Sequence, residues 1–383
     1  HMINRERLAK LFMDLVRIDS VSKEEARVSE MIQKRLESLG ADVIIDNAGE
    51  KTGGDTGNLI ARMKGNADVP PLMLNAHMDT VEPGRGIDPV LVDGVFTSQG
   101  DTILGADDKS AIAIILEALN ITKENNLACG PLEVVFTVCE EIGLMGAKQL
   151  DFSKISARYG FALDATDTQG VVTRAPSANR LEFLVHGKEA HAGAAPEKGV
   201  NAIQVASRAI ADLELGRIDE ETTCNIGVIQ GGLAINIIPN LVRVKGEVRS
   251  HSAEKLEHVT QTIVAAFEKA AAESKTTANG SAIPAVDALV NHDFTLTHIP
   301  EDHPVVNLAA QAARNIGRDM VCKTTGGGAD ANVFFKKGIV TGVLGTGMQN
   351  MHTINESVKL DDMAVAVELL LEILKLHARG EIS

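Results

Sequence analysis

The sequence has 383 residues, 44% of them hydrophobic, and a formal net charge of −15 at pH 7. One hydrophobic core rarely supports a chain of this length, so we expect two domains. The negative charge argues against a nucleic acid partner, and no apolar stretch reaches the length of a membrane span.

The cysteines and the N-terminal segment predict a cytoplasmic protein. The four cysteines, at positions 129, 139, 224 and 322, have no CxxC spacing. We therefore expect neither a disulfide framework nor a thiolate zinc site. The N-terminal segment has the pattern of an amphipathic helix and not of a signal peptide, with an apolar face formed by Leu8, Leu11, Phe12 and Leu15.

Strands and helices alternate along the chain after this helix. Residues 22–25 match a capping box that opens a second helix, which Gly40 closes. The stretch 108–121 has the apolar spacing of a further helix. Short apolar runs predict strands at 71–76, 132–138, 159–163 and 339–344. This alternation favours an α/β fold with a largely parallel, doubly wound sheet.

Metal-type side chains stand at the ends of these runs. In chain order they are His77 and Asp79, Asp107, Glu140 and Glu141, Asp164, and His352. The carboxyl ends of parallel strands converge on one crevice, where imidazoles and carboxylates can hold two divalent metals roughly 3.5–4 Å apart. Each residue alone also fits an ordinary polar turn or a helix-start carboxylate. Their joint placement predicts a two-metal site.

An inserted domain is predicted in the middle of the chain. Turn-rich segments at 173–178 and 276–284 bracket it, and metal-type residues occur on both sides. We expect a catalytic domain from residues 1–175 and 286–383, with residues 176–285 as the insertion. The predicted elements within and just beyond the brackets are strand 181–186, helix 200–213, strands 225–230 and 241–248, helix 253–273 and strand 288–292. This βαββαβ order is ferredoxin-like.

Five motifs in this order resemble the zinc-dependent M20 peptidases, and among them most closely peptidase T and peptidase T-like proteins. They are HMDT at 77–80, GADDK at 105–109, EEIG at 140–143, GKEAHAG at 187–193 and GGGADAN at 326–332. The resemblance covers nearly the whole chain. It implies a zinc-exopeptidase-like sheet flanked by helices, with the insertion acting as a lid and dimerisation domain.

The resemblance also implies roles for the metal-type residues. It gives two zinc ions, for which manganese or cobalt are alternatives with these ligands. Asp79 would accept the proton of the second imidazole nitrogen of His77, and Glu140 would act as general base for attack by a metal-bridging hydroxide. The implied metal ligands are His77, Asp107 (bridging both ions), Glu141, Asp164 and His352.

In the lid, the resemblance points to His191, Asn236 and Arg249 as residues that reach substrate. His191 or Asn236 can hydrogen-bond a developing oxyanion, and Arg249 offers a fork for a carboxylate. Arg249 also fits a surface cation on a strand. The resemblance further implies a homodimer formed through the lid, in which His191 can enter the partner's active site.

The expected activity is that of an exopeptidase on short peptides, in the manner of a tripeptide aminopeptidase. Two-metal hydrolysis of an amide suits a carboxypeptidase or an N-acyl-amino-acid amidohydrolase equally well, and these stay open as alternatives. A non-catalytic metal-binding homologue is a further alternative from a different class.

Overall fold

The computed structural model describes residues 3–274 and 282–380. Its strands, in chain order, are β1 Asp42–Ile45, β2 Leu59–Met63, β3 Leu72–His77, β4 Asp88–Val92, β5 Val95–Gln99, β6 Leu132–Thr137, β7 Tyr159–Ala165, β8 Gly170–Ala175, β9 Ser177–His186, β10 Gly216–Arg217, β11 Thr222–Gly231, β12 Leu241–Ser250, β13 Ala285–Phe294, β14 Thr297–His298, β15 Val321–Thr324, β16 Val340–Gly345 and β17 Val358–Lys359. Its helices are α1 Arg5–Val16, α2 Ala26–Ser38, α3 Ala48–Thr52, α4 Ala106–Glu124, α5 Met145–Lys148, α6 Ala202–Ala211, α7 Ala253–Glu273, α8 Pro304–Asn315, α9 Asp330–Lys336 and α10 Leu360–Ala378.

The described chain forms two compact units. The first comprises residues 3–174, 297–325 and 329–380, and the second comprises residues 175–274, 282–296 and 326–328. The candidate metal ligands that precede and follow the second unit in sequence therefore lie together in the first unit.

In the described residues of the first unit, a nine-stranded sheet has the order β1-β2-β6-β3-β7-β16-β8-β14, with β15 paired to β8. The central strands β6, β3, β7 and β16 are parallel, whereas β1 and β2 add antiparallel strands at one edge. The bounds of β3, β6, β7 and β16 lie within two residues of the predicted strands. The predicted α/β fold with a mostly parallel sheet and flanking helices is confirmed.

Helices α1, α4, α8 and α10 pack together beside this sheet. The predicted apolar face of α1 is buried, and Phe12 meets Phe96 edge to face with ring centroids 4.8 Å apart. Helix α4 differs from the prediction of a single apolar face, because its side chains from Ala106 to Leu119 are buried all round. Because α4 is buried on every side, its first turn, which contains Asp107, also lies inside the protein.

In the described residues of the second unit, five antiparallel strands have the order β10-β11-β12-β9-β13. Helices α6 and α7 pack on the sheet, and Phe183 of β9 stacks on Phe267 of α7 with centroids 4.0 Å apart. Apart from the two-residue β10, the elements follow the order strand, helix, strand, strand, helix, strand.

The boundaries of the second unit differ from the sequence prediction. Residues 173–178 are not an irregular linker, since β8 and β9 run through them. The unit extends past residue 285 because β13 pairs with β9 from Ala285 to Phe294. The other predicted linker, 276–284, lies mostly outside the described residues. Gly328 belongs to this unit and packs closely against Phe294, since a Cβ there would lie 2.4 Å from its ring.

Across the part of the chain that the structure describes, no helix combines the length and the apolar character needed to cross a membrane.

Candidate active site

The predicted metal residues meet at the carboxyl end of the parallel strands in the first unit. β3 ends at His77, β6 ends just before Glu140, and Asp164 is the penultimate residue of β7. Asp107 lies in the first turn of α4, and His352 follows β16 on a turn. The last side chains of neighbouring parallel strands lie close together at this edge of the sheet, where α/β proteins bind their ligands.

Asp107 lies between two histidines. Its Oδ1 is 3.0 Å from Nε2 of His77, and its Oδ2 is 3.2 Å from Nε2 of His352. Nε2 of His352 is also 2.8 Å from Oε1 of Glu141, while Nε2 of His77 is 3.9 Å from Oδ1 of Asp164. Donor atoms of the described residues form two groups that share Asp107 and a third made of His77, Glu140 and Glu141, each with its atoms within 4.8 Å of one another.

This donor set fits divalent cations. Imidazole and carboxylate ligands suit zinc, manganese and cobalt, and the carboxylates are crowded in a buried space. Burial, and after it the Asp107 carboxylate, raises the pKa of Asp164 well above its usual value. Burial likewise raises the pKa of Glu140. Cations between these groups would offset both the burial and the repulsion.

The ring of His77 is oriented by Asp79. Nδ1 of His77 lies 2.9 Å from the backbone carbonyl oxygen of Asp79 and 3.3 Å from its carboxylate Oδ1. The backbone carbonyl oxygen is the closer acceptor. The carbonyl and the carboxylate of Asp79 therefore share the expected role of accepting the Nδ1 proton of His77. A proton held on Nδ1 leaves the lone pair of Nε2 directed toward Asp107.

The turn that carries Glu140 and Glu141 is held by two buried carboxylates. Asp79 accepts hydrogen bonds from the backbone N–H groups of Glu140 and Glu141, at 2.9 and 3.1 Å. Glu25 accepts one from the backbone N–H of Cys139 at 2.9 Å. Cys139 has a positive φ of 52°, a conformation that a non-glycine residue adopts only when its surroundings hold it there.

Residues 22–25 do not form the predicted capping box. Ser22 Oγ donates to Oδ2 of Asp79 at 2.6 Å, and Glu25 faces Cys139, while α2 begins at Ala26. The local pattern of residues 22–25 matches a helix start, so the sequence alone does not indicate these contacts. The side chains of this segment instead reach the turns around the candidate metal ligands.

Two further buried carboxylates were missed by sequence reasoning. Asp108 Oδ2 accepts a hydrogen bond from the backbone N–H of His77 at 3.2 Å. Asp330, in the motif 326–332, accepts one from the hydroxyl of Thr137 at the end of β6, and burial raises the pKa of Asp330 to about 6. Both lie in motifs already recognised, and Asp108 directly follows the candidate ligand Asp107, which is the signal that could have identified them.

His191 and Asn236 lie in the second unit, and their side chains are exposed. Nδ1 of His191 accepts hydrogen bonds from the backbone N–H groups of Gly193 and Ala194, at 3.1 and 3.0 Å. Because Nδ1 is an acceptor, the neutral ring carries its proton on Nε2. His191 therefore presents an exposed N–H donor.

Arg249, also in the second unit, does not offer the free fork that we expected. Its Nε and Nη2 donate to the two carboxylate oxygens of Glu247, at 3.0 and 3.1 Å. Nη1 donates to the backbone oxygen of Gly326 at 3.2 Å, and the guanidinium carbon lies 6.0 Å from the Phe294 ring centroid. Glu247 already occupies the bidentate position.

Comparisons with known proteins agree with this site. Residues 73–376 match Peptidase family M20/M25/M40. The crystal structure of aminopeptidase PepT from Bacillus cereus is 41% identical, with a TM-score of 0.88 over 99% of this chain and 100% of that chain. The structure of a tripeptidase from Staphylococcus aureus is 36% identical, with a TM-score of 0.92 over the same shares. The protein YqjE of Bacillus subtilis, described as uncharacterized, is 40% identical over 99% of this chain and 100% of its own.

These similarities extend across both units and all five motifs. They confirm the prediction, made from those motifs, of a metallopeptidase similar to peptidase T. The chain belongs to peptidase family M20/M25/M40.

Proposed function

We propose that this protein is a two-zinc aminopeptidase that removes the N-terminal residue of tripeptides. The observation that supports this most is the position of Asp107, whose two oxygens face two different imidazoles. The similarity to an aminopeptidase and to a tripeptidase, over nearly the whole chain, supports a short peptide as substrate. Manganese and cobalt suit the same ligands and are alternatives to zinc.

The proposal assigns the two donor groups to two metals. His77, Asp107 and Asp164 would hold one, and Asp107, Glu141 and His352 the other. When bound, such cations lower the pKa of a shared water from 15.7 toward about 7 and polarise the carbonyl of the scissile bond.

Glu140 carries the proton in this proposal. Its Oε2 lies 3.8 Å from Nε2 of His77, and only 8% of the residue is exposed. The carboxylate accepts the proton of the attacking water and returns it to the leaving amine. Asp79 holds the backbone of Glu140 through a 2.9 Å hydrogen bond, which restricts where the Glu140 carboxylate can lie.

His191, Asn236 and Arg249 are proposed to bind substrate. The exposed Nε2–H of His191 can donate to the oxyanion that forms on the carbonyl. Arg249 would have to exchange its partner Glu247 for a substrate carboxylate, because both oxygens of Glu247 now occupy its fork. Substrate binding through Arg249 therefore includes the release of an existing ion pair.

We also propose a homodimer formed through the second unit, in the cytoplasm. Leu233 is 82% exposed and Ile235 is fully exposed in the loop after β11, and clustered apolar side chains of this kind mark association surfaces. All four cysteines have free thiols, which suits a reducing compartment.

The test is product analysis by mass spectrometry after incubation of the zinc-loaded protein with a tripeptide and with its N-acetylated form. Glu140→Gln serves as the control for contaminating peptidases. We expect loss of the first residue from the free tripeptide and no cleavage of the acetylated one, since an aminopeptidase recognises the free ammonium group.

The other outcomes separate the alternatives. Cleavage of the acetylated peptide would assign the enzyme to the carboxypeptidases or N-acyl-amino-acid amidohydrolases. Cleavage of neither, in protein that carries its metals, would favour a substrate other than peptides or a metal-binding protein without turnover.

A further inference from the structure

We propose that Glu356 is a positioning residue that fixes Asp107 and His352 relative to each other and thereby controls binding of the metal that these two residues share. This inference rests on the metal site proposed above. Glu356 touches the backbone around the ligands and not the reacting atoms.

The Glu356 carboxylate accepts three backbone hydrogen bonds from the turn that carries Asp107. Its Oε1 accepts from the N–H groups of Leu104 and Gly105, at 2.8 and 2.7 Å, and its Oε2 accepts from the N–H of Asp107 at 3.0 Å. These contacts join residues about 250 positions apart in sequence. The turn before α4 thus depends on one side chain from the C-terminal part of the chain.

Glu356 belongs to the same short loop as His352. Backbone hydrogen bonds between Gln349 and Ser357, at 2.8 and 3.0 Å, close this loop, and the N–H of Glu356 donates to the carbonyl of Thr353 at 3.2 Å. His352 has a positive φ of 64° inside it. Because the loop is closed, the position of Glu356 fixes that of His352. The three hydrogen bonds from the Asp107 turn to Glu356, which we call the clamp, therefore set the distance between two proposed metal ligands.

Burial makes this clamp stiff. Glu356 is 1% exposed. A buried carboxylate that accepts hydrogen bonds from several N–H groups cannot exchange them for hydrogen bonds to water. Lys109, which is also buried, donates from Nζ to the carbonyl of Ile18 at 2.6 Å and is attracted electrostatically by Glu356. The electrostatic attraction of Lys109 therefore adds to the three hydrogen bonds that hold the carboxylate.

The two donor groups should respond differently to loss of the clamp. His352 belongs to only one of them, the group with Asp107 and Glu141. The group of His77, Asp107 and Asp164 retains two ligands on strands of the sheet. We therefore expect the metal at His352 to bind more weakly when Glu356 is changed, and the metal at His77 to be affected less.

The chain offers a matched control in Glu133. This buried residue, 5% exposed, also accepts hydrogen bonds from three donor groups, at 2.7 to 3.0 Å: Ser156 N–H, Ser156 Oγ and Ala157 N–H. Glu133 lies near the start of β6, whereas Glu140 follows the end of that strand. Glu133→Gln therefore removes a comparable structural carboxylate at a distance from the site.

The experiment is a titration of metal-free wild type, Glu356→Gln, Glu356→Asp and Glu133→Gln with Co²⁺, followed by visible absorption. In Glu356→Gln an NH₂ group replaces one acceptor oxygen. We expect one of the two cobalt ions to bind roughly 10–100-fold more weakly, as is typical when an outer partner of a metal site is lost. Glu356→Asp keeps both acceptors and should recover part of that loss, while Glu133→Gln should titrate like wild type.

Two results would overturn the inference: wild-type affinity for both ions in Glu356→Gln, or an equal loss in Glu133→Gln. If Glu356→Gln does not fold, the same two criteria are applied to the cobalt titration of Glu356→Asp. Peptide hydrolysis is measured separately. Two cobalt ions in a wild-type protein that cleaves no peptide would refute the proposed function and leave the role of Glu356 intact. Fewer than two in wild type would refute the proposed site and this inference together.

Discussion

Asp79 accepts a hydrogen bond from the backbone N–H of Glu140 at 2.9 Å. The same carboxylate accepts from the N–H of Glu141 and from Ser22 Oγ, and the Asp79 carbonyl oxygen lies 2.9 Å from Nδ1 of His77. One residue therefore orients a candidate metal ligand and the turn that carries the candidate base. The aspartate of the HMDT motif is as much a backbone clamp as an imidazole partner.

Asp79→Asn should weaken the hold on the turn that carries Glu140 and Glu141, while it keeps the backbone carbonyl that faces His77. The amide has one acceptor oxygen in place of two, so its NH₂ group must face an N–H or hydroxyl donor. We expect a loss of roughly 10–100-fold in metal affinity or activity, measured by metal titration and by kcat. Glu117→Gln is the control, since Glu117 is a buried carboxylate that pairs with Arg7. Equal effects of the two changes would contradict a local role for Asp79.

Glu25→Ala should disturb the turn at Cys139. It leaves the buried N–H of Cys139 without its acceptor, which costs about 1–3 kcal/mol of stability, and it frees a backbone that has a positive φ. We expect a lower unfolding free energy in urea together with a reduced kcat. Glu25→Gln keeps an oxygen for Cys139, and within the described residues Oε2 of Glu25 has no partner to lose. A Gln variant as impaired as the Ala variant would contradict this account.

Phe267→Ala should destabilise the second unit without removing metal. Phe267 is fully buried and stacks on Phe183 with an interplanar angle of 6°. Truncation of a buried phenylalanine costs about 3–5 kcal/mol, which chemical denaturation would detect. Phe267→Leu conserves more of the volume and should cost less than Phe267→Ala. Loss of bound metal in Phe267→Ala would show that the first unit depends on this packing.

His377 should make stability depend on pH. Burial lowers its pKa below the usual value of 6.5, although the hydrogen bond from Nε2 to the Pro70 carbonyl opposes this. Below pH 6.5 the unfolded chain therefore binds more protons at this residue than the folded protein, so the unfolding free energy falls as the pH falls. The slope from one group is at most about 1.4 kcal/mol per pH unit. His377→Gln should show a smaller slope between pH 6.5 and 5, and an unchanged slope would refute the assignment.

The sequence predicts the parts of this molecule that have a local pattern. His77, Glu140 and Asp164 follow apolar runs, so strand ends could be located and their convergence inferred from the parallel sheet. Glu25 and Glu356 could not be found this way, because their hydrogen bonds join segments 114 and about 250 residues apart.

The sequence does contain information on two other features, the ion pair of Arg249 and the end of the second unit. Glu247 and Arg249 are two apart on β12 and therefore point to the same face of the sheet, so their ion pair was predictable from spacing. The predicted end of the second unit at residue 285 follows from the turn residues of 276–284, whereas the pairing of β13 with β9 continues to Phe294.

The most direct test of the account is kcat for tripeptide hydrolysis by Glu140→Gln at measured, full metal occupancy. Glu140 also lies within ligand distance of His77 and Glu141, so the metal content of the same sample separates a base from a ligand. We predict that the variant keeps two metals per chain and loses roughly 10²–10⁴-fold in kcat. Loss of a metal, or turnover close to wild type with both metals bound, would contradict the assignment of Glu140 as the general base.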